Sequence, residues 1–292
     1  MAEIIRGDVI AQSVSDQVRI DVQRLVEKGI APGLAVILVG DDPASEIYVS
    51  RKMKMSAAVG IQSLEHRLPS HTSEADLLAL VSRLNDDVRV HGILVQLPLP
   101  KQIDASKILD LIRPEKDVDG FHPVNVGRLS TGTGGLIPCT PLGCMMLLDT
   151  VVSEFRGRNA VVIGKSNIVG KPVALLLLER ECTVTVTHIH TIGLPDIVRS
   201  ADILVVAAGS PGLVRGDWVK SGAVVIDVGI NRVPGPNGTE RLVGDVAFNE
   251  MSHAKAVTPV PKGVGPMTIA CLLSNTVKAA RRLSGDLDAE RT

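Results

Sequence analysis

Short runs of β-branched and aliphatic residues alternate with helix-length segments along the whole chain. The predicted strands are Leu34–Val39, Gly92–Leu97, Ala160–Ile163, Thr183–Thr187, Ile203–Ala207 and Val224–Val228. This alternation is typical of βαβ units and predicts an α/β fold with a mainly parallel sheet. Residues Thr268–Leu283 are a predicted terminal helix, and Pro234–Gly238 a predicted hairpin or surface loop.

The two halves of the chain differ in how their strands end. Up to about Pro141 the strands lead into polar, proline-rich loops, whereas from about Ala160 four regularly hydrophobic strands follow closely, as in a nucleotide-binding half. A chain of 292 residues is long enough for two domains of ordinary size. We therefore expect a catalytic α/β domain over residues 1–143, completed by a C-terminal segment 268–292, and a Rossmann-like parallel-sheet domain over residues 144–267.

Charge and composition exclude several classes of partner. Lys plus Arg total 31 and Asp plus Glu total 32, so no global field favours nucleic acid or an acidic membrane surface. No apolar run approaches the roughly 18 residues of a membrane span, and the N-terminus lacks a signal-peptide pattern. The four cysteines form no CxxC pair, which favours reduced thiols. We expect a cytoplasmic protein without nucleic-acid or membrane partners.

Tyr48 and Lys52 follow a predicted helix start at Asp41–Ser45 and lie four residues apart, so they share one helix face. An aromatic ring beside an amine would hold a flat substrate over a proton-transfer group. By spacing alone, however, a solvated surface lysine is the more frequent outcome.

Two further polar positions stand where α/β sheets place their ligands. Gln96 ends an apolar run, and the carboxyl end of a parallel strand is the usual ligand-binding edge; alternatively it satisfies loop backbone. Asp117 and Asp119 are two apart, but no further acidic cluster completes a metal cage, so we predict no metal. A single carboxylate suits paired N–H donors of an amino-substituted heterocycle; the alternative is a capped turn.

A glycine turn runs from Gly164 to Gly170 after the predicted strand Ala160–Ile163. This layout suits a pyrophosphate seated on backbone N–H groups at a helix N-terminus, although such a turn is often only a turn. The later stretch Thr258–Thr268 holds three prolines and two glycines, which predicts a stiff loop of special geometry.

Taken in order, these segments resemble the bifunctional methylenetetrahydrofolate dehydrogenase/cyclohydrolase family over nearly the whole chain. The matching blocks are YVSRKMK (48–54), VQLPLP (95–100), PEKDVDGFHPVNVGRL (114–129), IPCTP (137–141), GKSNIVGKP (164–172), GAVVIDVGINR (222–232), GDV (244–246) and TPVPKGVGPMT (258–268). The resemblance implies two α/β domains with the active-site cleft between them, and a homodimer. It implies oxidation of 5,10-methylenetetrahydrofolate with hydride transfer to NADP, or to NAD, followed by hydrolysis of the methenyl product to 10-formyltetrahydrofolate.

The resemblance also assigns roles to individual residues. Lys52 is the implied catalytic amine, with Gln96 supporting it. Tyr48 is expected to stack on the folate, and Asp119 to bind its pterin. The further implied substrate contacts are Leu97, Pro259 and Gly263. The implied cofactor contacts are Gly164, Lys165, Ser166, Ile168, Val169, Gly170, His188, Ile189, Ala208, Gly209 and Ile230.

Three positions depart from the family pattern. Lys165 stands where the family commonly has Arg, so positive charge is kept but bidentate phosphate binding is lost. His188-Ile189-His190 replaces a stretch that often carries a Ser or Arg for the ribose phosphate. Lys262 replaces a usual glycine. Because these changes could weaken cofactor binding, a monofunctional cyclohydrolase is one alternative. A non-catalytic folate- or nucleotide-binding protein is a second alternative, against which the retained Lys52 amine argues.

Overall fold

The computed structural model describes residues 1–235 and 239–286, over which β-strands are interspersed with α-helices. The strands are β1 (Glu3–Ile4), β2 (Gly33–Val39), β3 (Gln62–Leu68), β4 (Gly92–Val95), β5 (Asn159–Ile163), β6 (Thr183–Thr187), β7 (Ile203–Val206), β8 (Val224–Asp227), β9 (Asn231–Pro234), β10 (Glu240–Val243) and β11 (Ala256–Val257). The helices are α1 (Gly7–Glu27), α2 (Pro43–Val59), α3 (Glu74–Asp86), α4 (Ala105–Leu111), α5 (Pro123–Thr131), α6 (Cys139–Asp149), α7 (Gly170–Glu179), α8 (Leu194–Arg199) and α9 (Val264–Leu283). The predicted α/β class is confirmed.

The chain divides into two compact units. The first unit comprises Met1–Gln12 and Thr140–Thr268, and the second comprises Ser13–Cys139 and the chain from Ile269 onward. The assignment of the first twelve residues differs from the sequence-based expectation. It differs because β1 pairs in parallel with β11, with Glu3 opposite Ala256, so that the N-terminus extends the sheet of the first unit.

The first unit is built on a six-stranded parallel sheet in the order β1-β11-β8-β7-β5-β6. From β5 the chain moves to β6 on one side and then to β7 on the other, which creates a topological switch point at the carboxyl ends of β5 and β7. Open α/β sheets bind their ligands at such points. The strands β9 and β10 form a separate antiparallel hairpin around the predicted turn, of which residues 236–238 lie outside the described part.

The second unit contains a three-stranded parallel sheet in the order β3-β2-β4. All seven residues of β2 are buried, which explains its continuous apolar sequence. The strand β3 was not predicted, because its sequence QSLEHRL is largely polar and partly exposed. Its pairing with β2 along all seven residues overrides that weak local preference.

Candidate active site

Helix α2 presents Tyr48 and Lys52 after a well-defined start. The Asp42 carboxylate accepts a hydrogen bond from the Ser45 backbone N–H at 2.8 Å, and Pro43 occupies the first turn. Both features fix where a helix begins. Tyr48 remains 38% exposed, so that part of the residue is accessible to another molecule. Because Lys52 lies one turn further along, the two side chains share a face of α2.

The Lys52 amine is held by Gln96, which follows the end of β4. Lys52 Nζ donates to Gln96 Oε1 at 3.1 Å, and Gln96 Nε2 donates to the Leu97 carbonyl at 2.7 Å. A carbonyl can only accept, so the bond to Leu97 orients the amide and leaves Oε1 facing the lysine. Gln96 therefore satisfies loop backbone and orients Lys52 at the same time, and the two sequence-based alternatives are compatible.

Asp119 is brought close to Lys52 by the extension of the sheet. A parallel bridge pairs Ile93 of β4 with Asp117, so the chain two residues later runs beside the carboxyl end of β4, where Gln96 follows. Burial raises the pKa of the Asp119 carboxyl to about 6, and the nearby charge of Lys52 acts in the opposite direction. Asp119 is thus a desolvated carboxylate at neutral pH, close to the Lys52 amine.

Asp117 has a different task from Asp119. Its carboxylate accepts hydrogen bonds from the backbone N–H groups of Phe121 and His122, at 3.2 and 2.8 Å, and from Asn125 Nδ2 at 2.9 Å. Both Asp117 and Asn125 are buried. The capped turn considered from the sequence is therefore made by Asp117, which fixes the turn that carries Asp119.

Two buried residues beside Asp119 were missed by the sequence analysis. Asn275 of α9 donates from Nδ2 to the carbonyls of Val118 and Ile137, at 2.8 and 2.9 Å. The Cys139 thiol donates to the Val118 carbonyl at 3.3 Å, and burial raises the pKa of this thiol well above its ordinary value. These bonds tie the Asp119 segment to the segment before α6. The IPCTP block was the sole local signal for Cys139, and Asn275 had none.

The proposed pyrophosphate turn lies at the switch point of the first unit. A Cβ on Gly164 would lie 2.2 Å from the Ala207 carbonyl oxygen, and one on Gly170 would lie 2.0 Å from the Gly164 carbonyl oxygen. Only glycine permits this close packing of the ends of β5 and β7 with the start of α7. Ser166 Oγ accepts the N–H groups of Val169 and Gly170, at 3.1 and 3.3 Å, so part of the helix N-terminus is capped internally.

The other predicted cofactor residues follow the strands of the same sheet. Ile168 is 43% exposed in the turn before α7, and Lys165 directly follows Gly164. After β6, His188 Nδ1 accepts the N–H of His190 at 3.2 Å, and Ile189 is 92% exposed. Ala208 and Gly209 follow β7, and Ile230 follows β8. The structure therefore gathers these positions beyond the carboxyl ends of β5 to β8.

The proline- and glycine-rich loop belongs to the first unit, whereas Lys52 belongs to the second. The substrate contacts of Pro259 and Gly263 therefore stay predictions. A Cβ on Gly263 would lie 2.5 Å from the Pro259 carbonyl oxygen, which explains the need for glycine there. Lys262 adopts a φ of +84°, a left-handed conformation that glycine accepts more easily. The replacement of glycine at this position has therefore kept the glycine-like backbone.

No group of three or more His, Cys, Asp or Glu side chains is arranged to hold a metal ion within residues 1–235 and 239–286. Over the same residues, no helix combines the length and apolar character needed to cross a membrane.

Comparison with protein families gives two matches that together cover most of the chain. The model described as tetrahydrofolate dehydrogenase/cyclohydrolase, catalytic domain, matches residues 5–119. The model described as tetrahydrofolate dehydrogenase/cyclohydrolase, NAD(P)-binding domain, matches residues 138–284. The clustered Lys52, Gln96 and Asp119 fall in the first match, and the glycine turn falls in the second.

Individual relatives agree with these matches. "Bifunctional protein FolD 1" of Rhizorhabdus wittichii is 69% identical over 286 residues, which span 98% of this chain and 97% of the relative. Among solved structures, the bifunctional FolD methylenetetrahydrofolate dehydrogenase/cyclohydrolase of Campylobacter jejuni is 49% identical, with a TM-score of 0.93 and coverage of 97% and 99% of the two chains. The Trypanosoma brucei enzyme, solved with NADP cofactor and inhibitor, is 43% identical with a TM-score of 0.92, over 96% and 98%.

Proposed function

Because this chain belongs to the tetrahydrofolate dehydrogenase/cyclohydrolase family, we propose that it catalyses both reactions with the residues clustered around Lys52. It oxidises 5,10-methylenetetrahydrofolate to the methenyl cation and then hydrolyses that product to 10-formyltetrahydrofolate. The observation that supports this most directly is the oriented Lys52 amine, bonded to Gln96 and adjacent to the desolvated Asp119.

Substrate binding follows from the chemistry of the two flanking side chains. Asp119 is ionised above a pH of about 6 and then accepts the N–H donors on the amino-substituted edge of the pterin. The exposed part of the Tyr48 ring offers an apolar face for the flat ring system. Together they hold the one-carbon unit at the Lys52 amine, so that positioning provides much of the rate enhancement. Leu97, Pro259 and Gly263 complete the proposed contacts.

Lys52 handles the proton in the hydrolysis step. The water oxygen bonds to the methenyl carbon, the bond from that carbon to N5 breaks, and Lys52 Nζ carries one water proton toward N5. The second water proton leaves to solvent, so the cation becomes neutral 10-formyltetrahydrofolate. Gln96 keeps the amine aimed, because its own amide is fixed by Leu97.

The first unit holds the dinucleotide, which supplies the hydride acceptor for the oxidation. The backbone contact between Gly164, Gly170 and Ala207 leaves a side-chain-free surface that a pyrophosphate can approach, and it fits this ligand. Lys165 adds positive charge, which favours NADP, with NAD as the second possibility. The remaining proposed contacts are Ser166, Ile168, Val169, His188, Ile189, Ala208, Gly209 and Ile230. We place folate binding in the second unit, dinucleotide binding in the first unit, and the enzyme in the cytoplasm as a homodimer.

Initial rates with methylenetetrahydrofolate and either NADP or NAD, followed by decay of the methenyl intermediate, test the reaction and the cofactor together. Lys52→Met is expected to abolish hydrolysis, and Lys54→Met, on the exposed side of the same helix, is the matched control. Absence of both reduced cofactor and formyl product with the wild-type protein would contradict the proposal. Robust hydrolysis with negligible hydride transfer would instead identify a monofunctional cyclohydrolase.

A further inference from the structure

A buried carboxylate, that of Asp245, holds the start of the loop that follows β7 against the rest of the first unit. Asp245 Oδ2 accepts the backbone N–H groups of Ala208 and Gly209, at 2.7 and 2.8 Å. Its Oδ1 accepts the N–H of Ser210 at 2.9 Å and Asn231 Nδ2 at 2.8 Å. Asp245 is completely buried, and its carboxylate meets four donors, which is about as many as two oxygens can accept.

Three successive backbone N–H groups that converge on one point form an anion-binding nest. At the carboxyl edge of a dinucleotide-binding sheet, such a nest would be an obvious seat for a phosphate. Here the nest of residues 208–210 is filled from within by Asp245, so these N–H groups are unavailable to a ligand. The loop must therefore meet the cofactor through its opposite face, whose position the carboxylate determines.

A second buried carboxylate fixes Asp245 in turn. Asp227 at the end of β8 accepts the backbone N–H groups of Gly229, Asp245 and Val246, at 3.0, 2.9 and 3.0 Å. Space around the pair is so limited that a Cβ on Gly229 would lie 2.3 Å from the Asp245 carboxylate, and one on Gly244 would lie 1.8 Å from Asp227 Oδ2. The GDV block and the DVG sequence thus form one interlocked unit that joins the loops after β7 and β8.

From this arrangement we infer that Asp245 is a positioning residue for the dehydrogenase step, which orients the loop 208–210 against the dinucleotide. The inference rests on the proposed function, because the proposed cofactor contacts include Ala208 and Gly209. It assigns a role to a residue that touches neither substrate nor cofactor. Its effect should therefore fall on cofactor affinity, and only weakly on the chemical step once the cofactor is bound.

The test compares Asp245→Asn with Asp202→Asn. Asp202 accepts the N–H of Asn159 at 3.0 Å at the opposite, amino-terminal edge of the same sheet, so this control removes a similar carboxylate away from the loop. An asparagine at 245 would turn an NH₂ group toward backbone N–H donors. We expect the Kd for NADP, measured by calorimetry, to rise about tenfold in Asp245→Asn, with kcat at saturating NADP changed less than twofold. The control should keep the wild-type Kd.

If Asp245→Asn does not fold, Asn231→Ala tests the same inference, because it removes one of the four donors to the Asp245 carboxylate from a half-buried position. We expect about a threefold rise in Kd for that variant. An unchanged Kd in the folded variant, or an equal rise in Asp202→Asn, would overturn the inference. A wild-type protein that binds NADP without turning over would contradict the proposed reaction alone, because the inference is judged on Kd.

Discussion

Replacement of Asp119 by asparagine should make the folded protein more stable at neutral pH while it removes the proposed pterin contact. The carboxyl has a pKa of about 6 in the folded protein, against an ordinary value of 3.8, mainly because it is desolvated. Because the pKa is higher in the folded state, ionisation of this carboxyl destabilises the folded protein. The cost is absent below the unfolded pKa, and it is complete once the pH has risen through 6.

The size of the effect follows from the two pKa values. Their difference corresponds to about 3 kcal/mol at pH 7.5. Because Asp119 retains partial solvent access, we expect roughly half of this, about 1–2 kcal/mol, as the stabilisation by asparagine. At pH 5 the folded carboxyl is mostly protonated, so the advantage of Asp119→Asn should fall to about half of its value at pH 7.5.

Urea unfolding at pH 7.5 and pH 5.0 measures this difference, and initial rates report the accompanying rise in KM for methylenetetrahydrofolate. Asp117→Asn is the matched control, because the same substitution two residues earlier removes an acceptor of three hydrogen bonds. We expect that control to lose about 2–3 kcal/mol. The reasoning is refuted if Asp119→Asn is no more stable than wild type at pH 7.5, or if its advantage is the same at both pH values.

Three further substitutions test other parts of the structure. Lys262→Gly should raise the free energy of unfolding by about 1 kcal/mol, because glycine relieves the left-handed backbone; Lys262→Ala keeps that strain and should show no gain. Asn275→Leu should lose about 2–3 kcal/mol and slow hydrolysis, because the Ile137 carbonyl loses the Asn275 donor and the Val118 carbonyl keeps only the weak Cys139 thiol. Unchanged hydrolysis rates would contradict this. Lys116→Met should lower the free energy of unfolding by about the same 2–3 kcal/mol, because the buried amine donates to two carbonyls at the end of α3. Wild-type stability in urea unfolding would count against that role.

The fold was predictable where burial and sequence pattern coincide. The strands β2, β5, β7 and β8 are buried along nearly their whole length, so their apolar runs identified them with boundaries within one or two residues. The strand β3 was missed because an edge strand can be polar when its partner supplies the pairing. The short β1 and β11 carry two residues each, too few for any periodicity.

The candidate site was predictable only in part, for a related reason. Lys52 and Gln96 came from ordered motifs, and the structure places them in hydrogen-bond contact although they are 44 residues apart. The separate roles of Asp117 and Asp119 could not be assigned from the sequence, because either carboxylate could cap a turn and either could bind a ligand. Asn275 could not have been found, since it acts on a carbonyl 157 residues away and its local helical pattern is ordinary.

Each of the two units contains the same physical arrangement of an anchoring carboxylate. In the second unit, the bonded Asp117 fixes the turn that carries Asp119, the proposed pterin contact. In the first unit, the bonded Asp245 fixes the loop that carries Ala208 and Gly209, two proposed cofactor contacts. A buried carboxylate with several N–H donors tolerates little displacement, because each lost bond leaves an unpaired polar group. It can therefore fix a flexible, glycine-containing loop without touching the ligand. Substitution of such an anchor should weaken binding and stability together, whereas substitution of the functional carboxylate should separate them.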